Sequence, residues 1–124
     1  MSAARSFAAT RVMVMAAPNG ARRSAKDHPE GAHTLDADHY RAALAAIRKR
    51  IGDDLVLQVT TEAVGRYSAF EQMQLVRELK PEAVSLALRE LCPDAAAETG
   101  AAEFFGWLQR EEIWPQYILY SAED

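Results

Sequence analysis

The stretch Leu55-Val56-Leu57-Gln58-Val59-Thr60-Thr61 decides the fold. Residues 55–59 form a short, nearly continuous apolar run with no polar-apolar alternation. That suits a strand buried on both faces, as in parallel sheets covered by helices. On its N-terminal side, Tyr40, Leu44, Ile47 and Ile51 recur at spacings of three and four, behind a capping Asp36 or Asp38 and ahead of Gly52. This predicts an amphipathic helix with defined ends. On its C-terminal side, Gly65 breaks the chain and Ser68-Ala69-Phe70-Glu71 has the spacing of a capping box. Phe70, Met73, Val76 and Leu79 or Leu75 then predict an apolar helical stripe ending at Lys80-Pro81.

The rhythm continues outward. Residues 12–16 are an apolar run stopped by Pro18-Asn19-Gly20, a turn signal. Residues 83–88 predict a third strand. Pro93-Asp94 opens a helical region interrupted at Gly100, with Ala102, Phe105 and Leu108 on its apolar stripe and Phe104 and Trp107 beside it. Residues 116–120, after Trp114-Pro115, predict a last strand. Strands alternating with helices imply parallel strands joined by helical crossovers. Two features fall outside the pattern. Some twenty residues without periodicity separate the first strand from the first helix, long for such a connection. No helix follows the last strand to cover it, which leaves an exposed edge. That edge and the uncovered apolar surface predict self-association.

Composition narrows the function classes. The 124 residues predict one domain, with 49% apolar and 26% charged residues, ordinary for a globular protein. A net charge of -4 argues against nucleic acid, which needs a basic stripe. The basic cluster Arg48-Lys49-Arg50 reads as a solvated helix terminus. No run reaches the length of a membrane span. Cys92 is the single cysteine; it reads as a buried, inert thiol and fits a reducing, cytoplasmic setting. Residues 1–10 lack an apolar h-region and read as a disordered leader, leaving 11–124 as the folded domain.

Working residues of parallel α/β folds sit just past the carboxyl ends of the strands. Here these are Pro18-Asn19-Gly20-Ala21, Thr60-Thr61-Glu62, Ser85 through Glu90, and Tyr120 through Asp124. They gather hydroxyls, amides and carboxylates on one rim, a set suited to an anionic or carbonyl ligand. Thr60-Thr61 reads equally well as β-branched strand filler. His39 sits in the first turn of a helix and reads as solvated. His28 and His33, five apart in the long loop, are the remaining metal candidates, and no HxH, HxxxH or CxxC pattern supports them.

The same segments carry a family resemblance. Ala17-Pro18-Asn19-Gly20-Ala21, Asp27-His28-Pro29, the run from Gln58 through Thr60-Thr61-Glu62 to Arg66-Tyr67, Lys80-Pro81-Glu82-Ala83-Val84-Ser85-Leu86, and Pro115-Gln116-Tyr117-Ile118-Leu119-Tyr120 resemble, in order, the β-keto acid cleavage enzymes. Their named member is the 3-keto-5-aminohexanoate cleavage enzyme. The resemblance implies an α/β fold of parallel (β/α) units from a TIM-type (β/α)8 barrel, incomplete here: about half a barrel, with its second strand missing. It implies an acyl exchange between a β-keto acid and acetyl-CoA that gives acetoacetate and a CoA thioester. It also implies a divalent metal, zinc, acting as Lewis acid, and a homo-oligomer. By resemblance Thr60 and Ser85 hold the substrate carboxylate, with Asn19, Glu62 and Arg66 as further substrate-binding candidates.

The departures are equally specific. After Glu30 the sequence passes at once to Gly31-Ala32-His33, where the family has a helix and a strand ending in a metal-binding His-x-His pair. Arg22, Gln116 and Ile118 stand where the named member has acidic residues, which puts an amino-acid substrate in question. The alternatives are a non-catalytic remnant, or an α/β interaction domain using the same rim for a small anion.

Overall fold

The computed structural model describes residues 11–14, 36–61 and 67–124. They fold as α/β. Four parallel strands, β1 (Arg11–Val14), β2 (Val56–Thr60), β3 (Ala83–Ala87) and β4 (Trp114–Ile118), form one open sheet in the order of the sequence. Helix α1 (Ala37–Ile51) leads into β2 and α2 (Ala69–Leu79) into β3. A one-turn helix α3 (Leu88–Leu91), a 3-10 turn (Ala95–Ala97) and α4 (Glu98–Arg110) lead into β4. β1 pairs directly with β2, from Arg11 opposite Val56 to Val14 opposite Val59. The sheet therefore has no gap where the sequence departs from the family pattern.

Local chemistry accounts for the helix ends. The Asp36 carboxylate accepts the Asp38 N–H at 2.8 Å, and α1 ends at Gly52, whose φ of 64° suits a residue without a Cβ. The capping box of α2 closes in both directions. Ser68 Oγ accepts the Glu71 N–H at 3.2 Å and the Glu71 carboxylate accepts the Ser68 N–H at 2.8 Å.

Side chains of a strand alternate between faces, and here the two faces differ in kind. Val59, Val84 and Leu86 point into the helix layer. They pack with Tyr40 of α1, Leu75 and Val76 of α2, Leu91 of α3, and Phe104 and Leu108 of α4. The intervening residues Gln58, Thr60 and Ser85 occupy the opposite face and are also buried. Gln116, opposite Ser85, lies on that face too, because its neighbour Tyr117 meets Phe105 of α4 edge-on at 5.1 Å.

Several expectations are corrected. Phe70 does not join the apolar stripe of α2: it is 73% exposed, and the buried face is Gln72, Leu75 and Val76. In α4 the buried residues are Ala101, Phe104 and Leu108, with Phe105 partly buried and Ala102 exposed. Gly100 does not interrupt this helix, since its position is open and helical geometry continues through it. β4 starts two residues before the expected position, because the Trp114 N–H already bonds the Glu82 carbonyl at 3.0 Å. Arg48 is not simply solvated: it donates to the Gly52 and Leu55 carbonyls and pairs with Glu82 at 2.6 Å. The Glu82 carboxylate also accepts the Leu57 N–H. This staple ties α1, β2 and β3 together at the amino ends of the strands, the end of such folds that serves stability. Cys92 is half-buried rather than buried. The leader, residues 1–10, lies outside the described residues.

Candidate functional site at the carboxyl ends of β2 and β3

Thr60 and Ser85 are direct partners in the parallel register of β2 and β3, and Ser85 is in turn opposite Gln116 of β4. Three polar side chains thus form one row across three neighbouring strands, near the carboxyl ends and on the face away from the helices. Adjacent strands lie about 4.8 Å apart, so hydroxyls on two of them can donate to the two oxygens of one carboxylate. One turn of the pleat below, Gln58 Nε2 donates to Gln116 Oε1. That bond closes the floor of the row with neutral amides.

The hydroxyl of Ser85 donates to the Val59 carbonyl at 3.5 Å. This is the long end of the hydrogen-bond range, weak enough to be exchanged for a ligand oxygen. The backbone beside Thr60 is held from the helix side. The Tyr40 hydroxyl donates to the Thr60 carbonyl at 2.7 Å, and the Thr61 N–H donates to the Ser85 carbonyl at 3.2 Å. Burial first, and the neighbouring Tyr67 second, push the Tyr40 phenol up to about 12, so it remains a donor at neutral pH.

Behind the rim, Gln72 Nε2 donates to the Tyr67 carbonyl at 3.3 Å and to Glu90 at 3.4 Å. Gln72 Oε1 and Thr61 Oγ1 are buried there without a partner among the described residues. Further along, the Asp124 carboxylate accepts from Arg89 at 2.9 Å and from the Tyr120 N–H at 2.6 Å, closing the turn after β4. The Arg89 hydrogen bond holds the Asp124 carboxyl below its usual value.

Of the residues expected at the site, the structure brings Thr60 and Ser85 together. Asn19, Glu62 and Arg66, and the metal candidates His28 and His33, lie outside the described residues. Among the described residues no three His, Cys, Asp or Glu converge as for a metal ion, and His39 is exposed. The residues beside this candidate site that sequence reasoning missed are Gln58, Tyr40 and Gln72. The signal for Gln58 was available: it is the one polar side chain inside the apolar run 55–59.

Parallel strands in one open sheet, with helices on one face and a polar row on the other near the carboxyl ends, define an α/β protein. Comparison with known families makes this specific. The beta-keto acid cleavage enzyme family matches residues 21–124, and the chain belongs to that family. Its members are of TIM-barrel type and generally metal-dependent. Comparison with curated proteins and with solved structures gives no match. No helix among the described residues is long and apolar enough to cross a membrane.

Proposed function

We propose that this chain takes the carboxylate end of a β-keto acid between Thr60 and Ser85. The reaction served is acyl exchange with acetyl-CoA in the cytoplasm. Family membership supports the reaction class. The observation that carries the site is the Thr60-Ser85 register pair on the polar face. In the exchange, the bond between the keto carbon and the two-carbon carboxylate unit breaks, and the released acyl group ends on the CoA sulfur. The acetyl group leaves that sulfur and forms the new carbon–carbon bond, giving acetoacetate. The two hydroxyls hold the carboxylate through the exchange. Glu62 and Arg66, which follow β2 in sequence, are the candidates for choosing the remainder of the substrate, with Asn19 after β1.

A divalent metal, zinc in this reading, would polarise the keto group. The described residues do not fit such an ion: hydroxyls and amides line the row, and no three-ligand group is present among them. His28 and His33 are the residues to replace if the purified chain takes up zinc.

Titration with acetoacetate, followed by NMR, tests the site. Saturable shifts in wild type that vanish in Thr60→Val and Ser85→Ala support it, and absent or unaltered shifts contradict it. An assay of acetoacetate formed from β-keto acids and acetyl-CoA, with zinc supplied, tests the reaction; no product from any β-keto acid would contradict catalysis by this chain.

A further inference from the structure

The peptide group that follows Thr60 is held at both ends. Its N–H, on Thr61, donates to the Ser85 carbonyl of β3 at 3.2 Å. In a trans peptide the carbonyl points the opposite way, so the Thr60 C=O turns from β3 toward the side of β1. Among the described residues β1 pairs with β2 as far as Val14 opposite Val59, one residue earlier. Just beyond that point the Tyr40 hydroxyl donates to the Thr60 carbonyl at 2.7 Å, reaching across 20 residues of sequence. Tyr40 is 2% exposed, and its ring belongs to the same core cluster as Val59, Leu75 and Val76. A close-packed ring carries its hydroxyl to a set point. The peptide group before Thr60 is held more loosely on its side-chain contact. Its carbonyl, on Val59, accepts the Ser85 hydroxyl at 3.5 Å, the bond that a ligand carboxylate would take over.

We propose that Tyr40 is a positioning residue of the carboxylate site. It locks the Thr60-Thr61 peptide, and through it the direction of the Thr60 side chain. The Thr60 hydroxyl then stays level with Ser85 while the Ser85 hydroxyl turns from the Val59 carbonyl to the ligand. The inference rests on the carboxylate reading of Thr60 and Ser85. Register makes these two residues partners, but it fixes only the heights of their Cα atoms. Two donors aimed at one carboxylate also need their side chains aligned. A small misplacement weakens such a site even when no contact to the ligand is removed. Tyr40 itself touches no ligand in this scheme, because its ring lies in the helix layer and the row of hydroxyls lies on the other face of the sheet. It acts through the backbone that the two faces share.

Titration of the full chain with acetoacetate, read by NMR, tests this role in Tyr40→Phe against Ile113→Val. Ile113 is buried in the same core cluster, so its truncation lowers stability without touching the Thr60 carbonyl. Tyr40→Phe should raise the Kd for acetoacetate on the order of fivefold, and Ile113→Val should leave it unchanged. Wild-type affinity in Tyr40→Phe, or the same loss in both variants, overturns the role of Tyr40 and leaves the carboxylate site standing. No saturable binding by the wild-type chain overturns the site itself, and this role with it. If Tyr40→Phe fails to fold, the wild-type chain decides. Its Tyr40 hydroxyl proton, buried on a 2.7 Å bond, should give a resonance that persists when acetoacetate saturates the site. A resonance that is absent, or lost on saturation, overturns the proposal.

Discussion

The two faces of the sheet answer to different demands, and β3 shows both within five residues. Val84 and Leu86 fill the helix layer, whereas Ser85 between them carries a hydroxyl that donates to the Val59 carbonyl at 3.5 Å. All are buried. Apolar burial stabilises by removing surface from water. A buried hydroxyl on a long bond contributes little to folding. The first face therefore accounts for stability, and the second carries the polar groups of the proposed carboxylate site.

The difference can be broken from the helix side. Phe104 of α4 is fully buried between the sheet and its helix neighbours, stacked on Trp107. Phe104→Ala should cost about 3–5 kcal/mol, measured by urea unfolding, the largest effect of any substitution considered. Tyr40 links the two faces, since its ring lies in the core and its hydroxyl holds the Thr60 carbonyl. Tyr40→Phe should cost about 1 kcal/mol. It should also change the response to alkali. The folded phenol titrates near 12 against an ordinary 10.0, so its contribution is complete below pH 10 and is lost as pH rises through about 12. The variant should lack that part of the alkaline loss of stability. On the polar face, Ser85→Ala should move stability by only about 0.5 kcal/mol while abolishing acetoacetate binding. A large loss of stability with binding retained would reverse the assignment of the two faces.

The fold was legible where one local signal dominated. Ser68 and Glu71 fixed the start of α2, Asp36 and Gly52 bracketed α1, and the apolar runs gave β2 and β3 to within a residue. It was illegible where a polar side chain took a buried place. The stripe of α2 was drawn through Phe70, but the buried position belongs to Gln72, whose Nε2 donates to Tyr67 and Glu90. Hydrophobic spacing cannot show a partner so distant in sequence. α3 escaped notice because it has no side-chain cap and spans one turn. The start of β4 was misplaced because proline normally argues against a strand. Pro115 is tolerated since its missing N–H would point to the outer edge, away from β3.

The candidate site was legible only in part. Thr60 and Ser85 came from the family likeness, and strand register explains why these two meet. Gln116 was noted only as a departure from the family. Its pairing with Gln58 lies 58 residues apart in sequence and follows from the sheet order alone. Gln58 is buried and Gln116 exposed, and the bond between them joins the two amides across β3.

The most direct test of the central claim is the acetoacetate titration of wild type against Ser85→Ala, read by NMR with unfolding followed in parallel. Shifts that saturate in wild type and disappear in a variant that is still folded are the predicted result. Equal shifts in both proteins would contradict a carboxylate site on the polar face of the sheet.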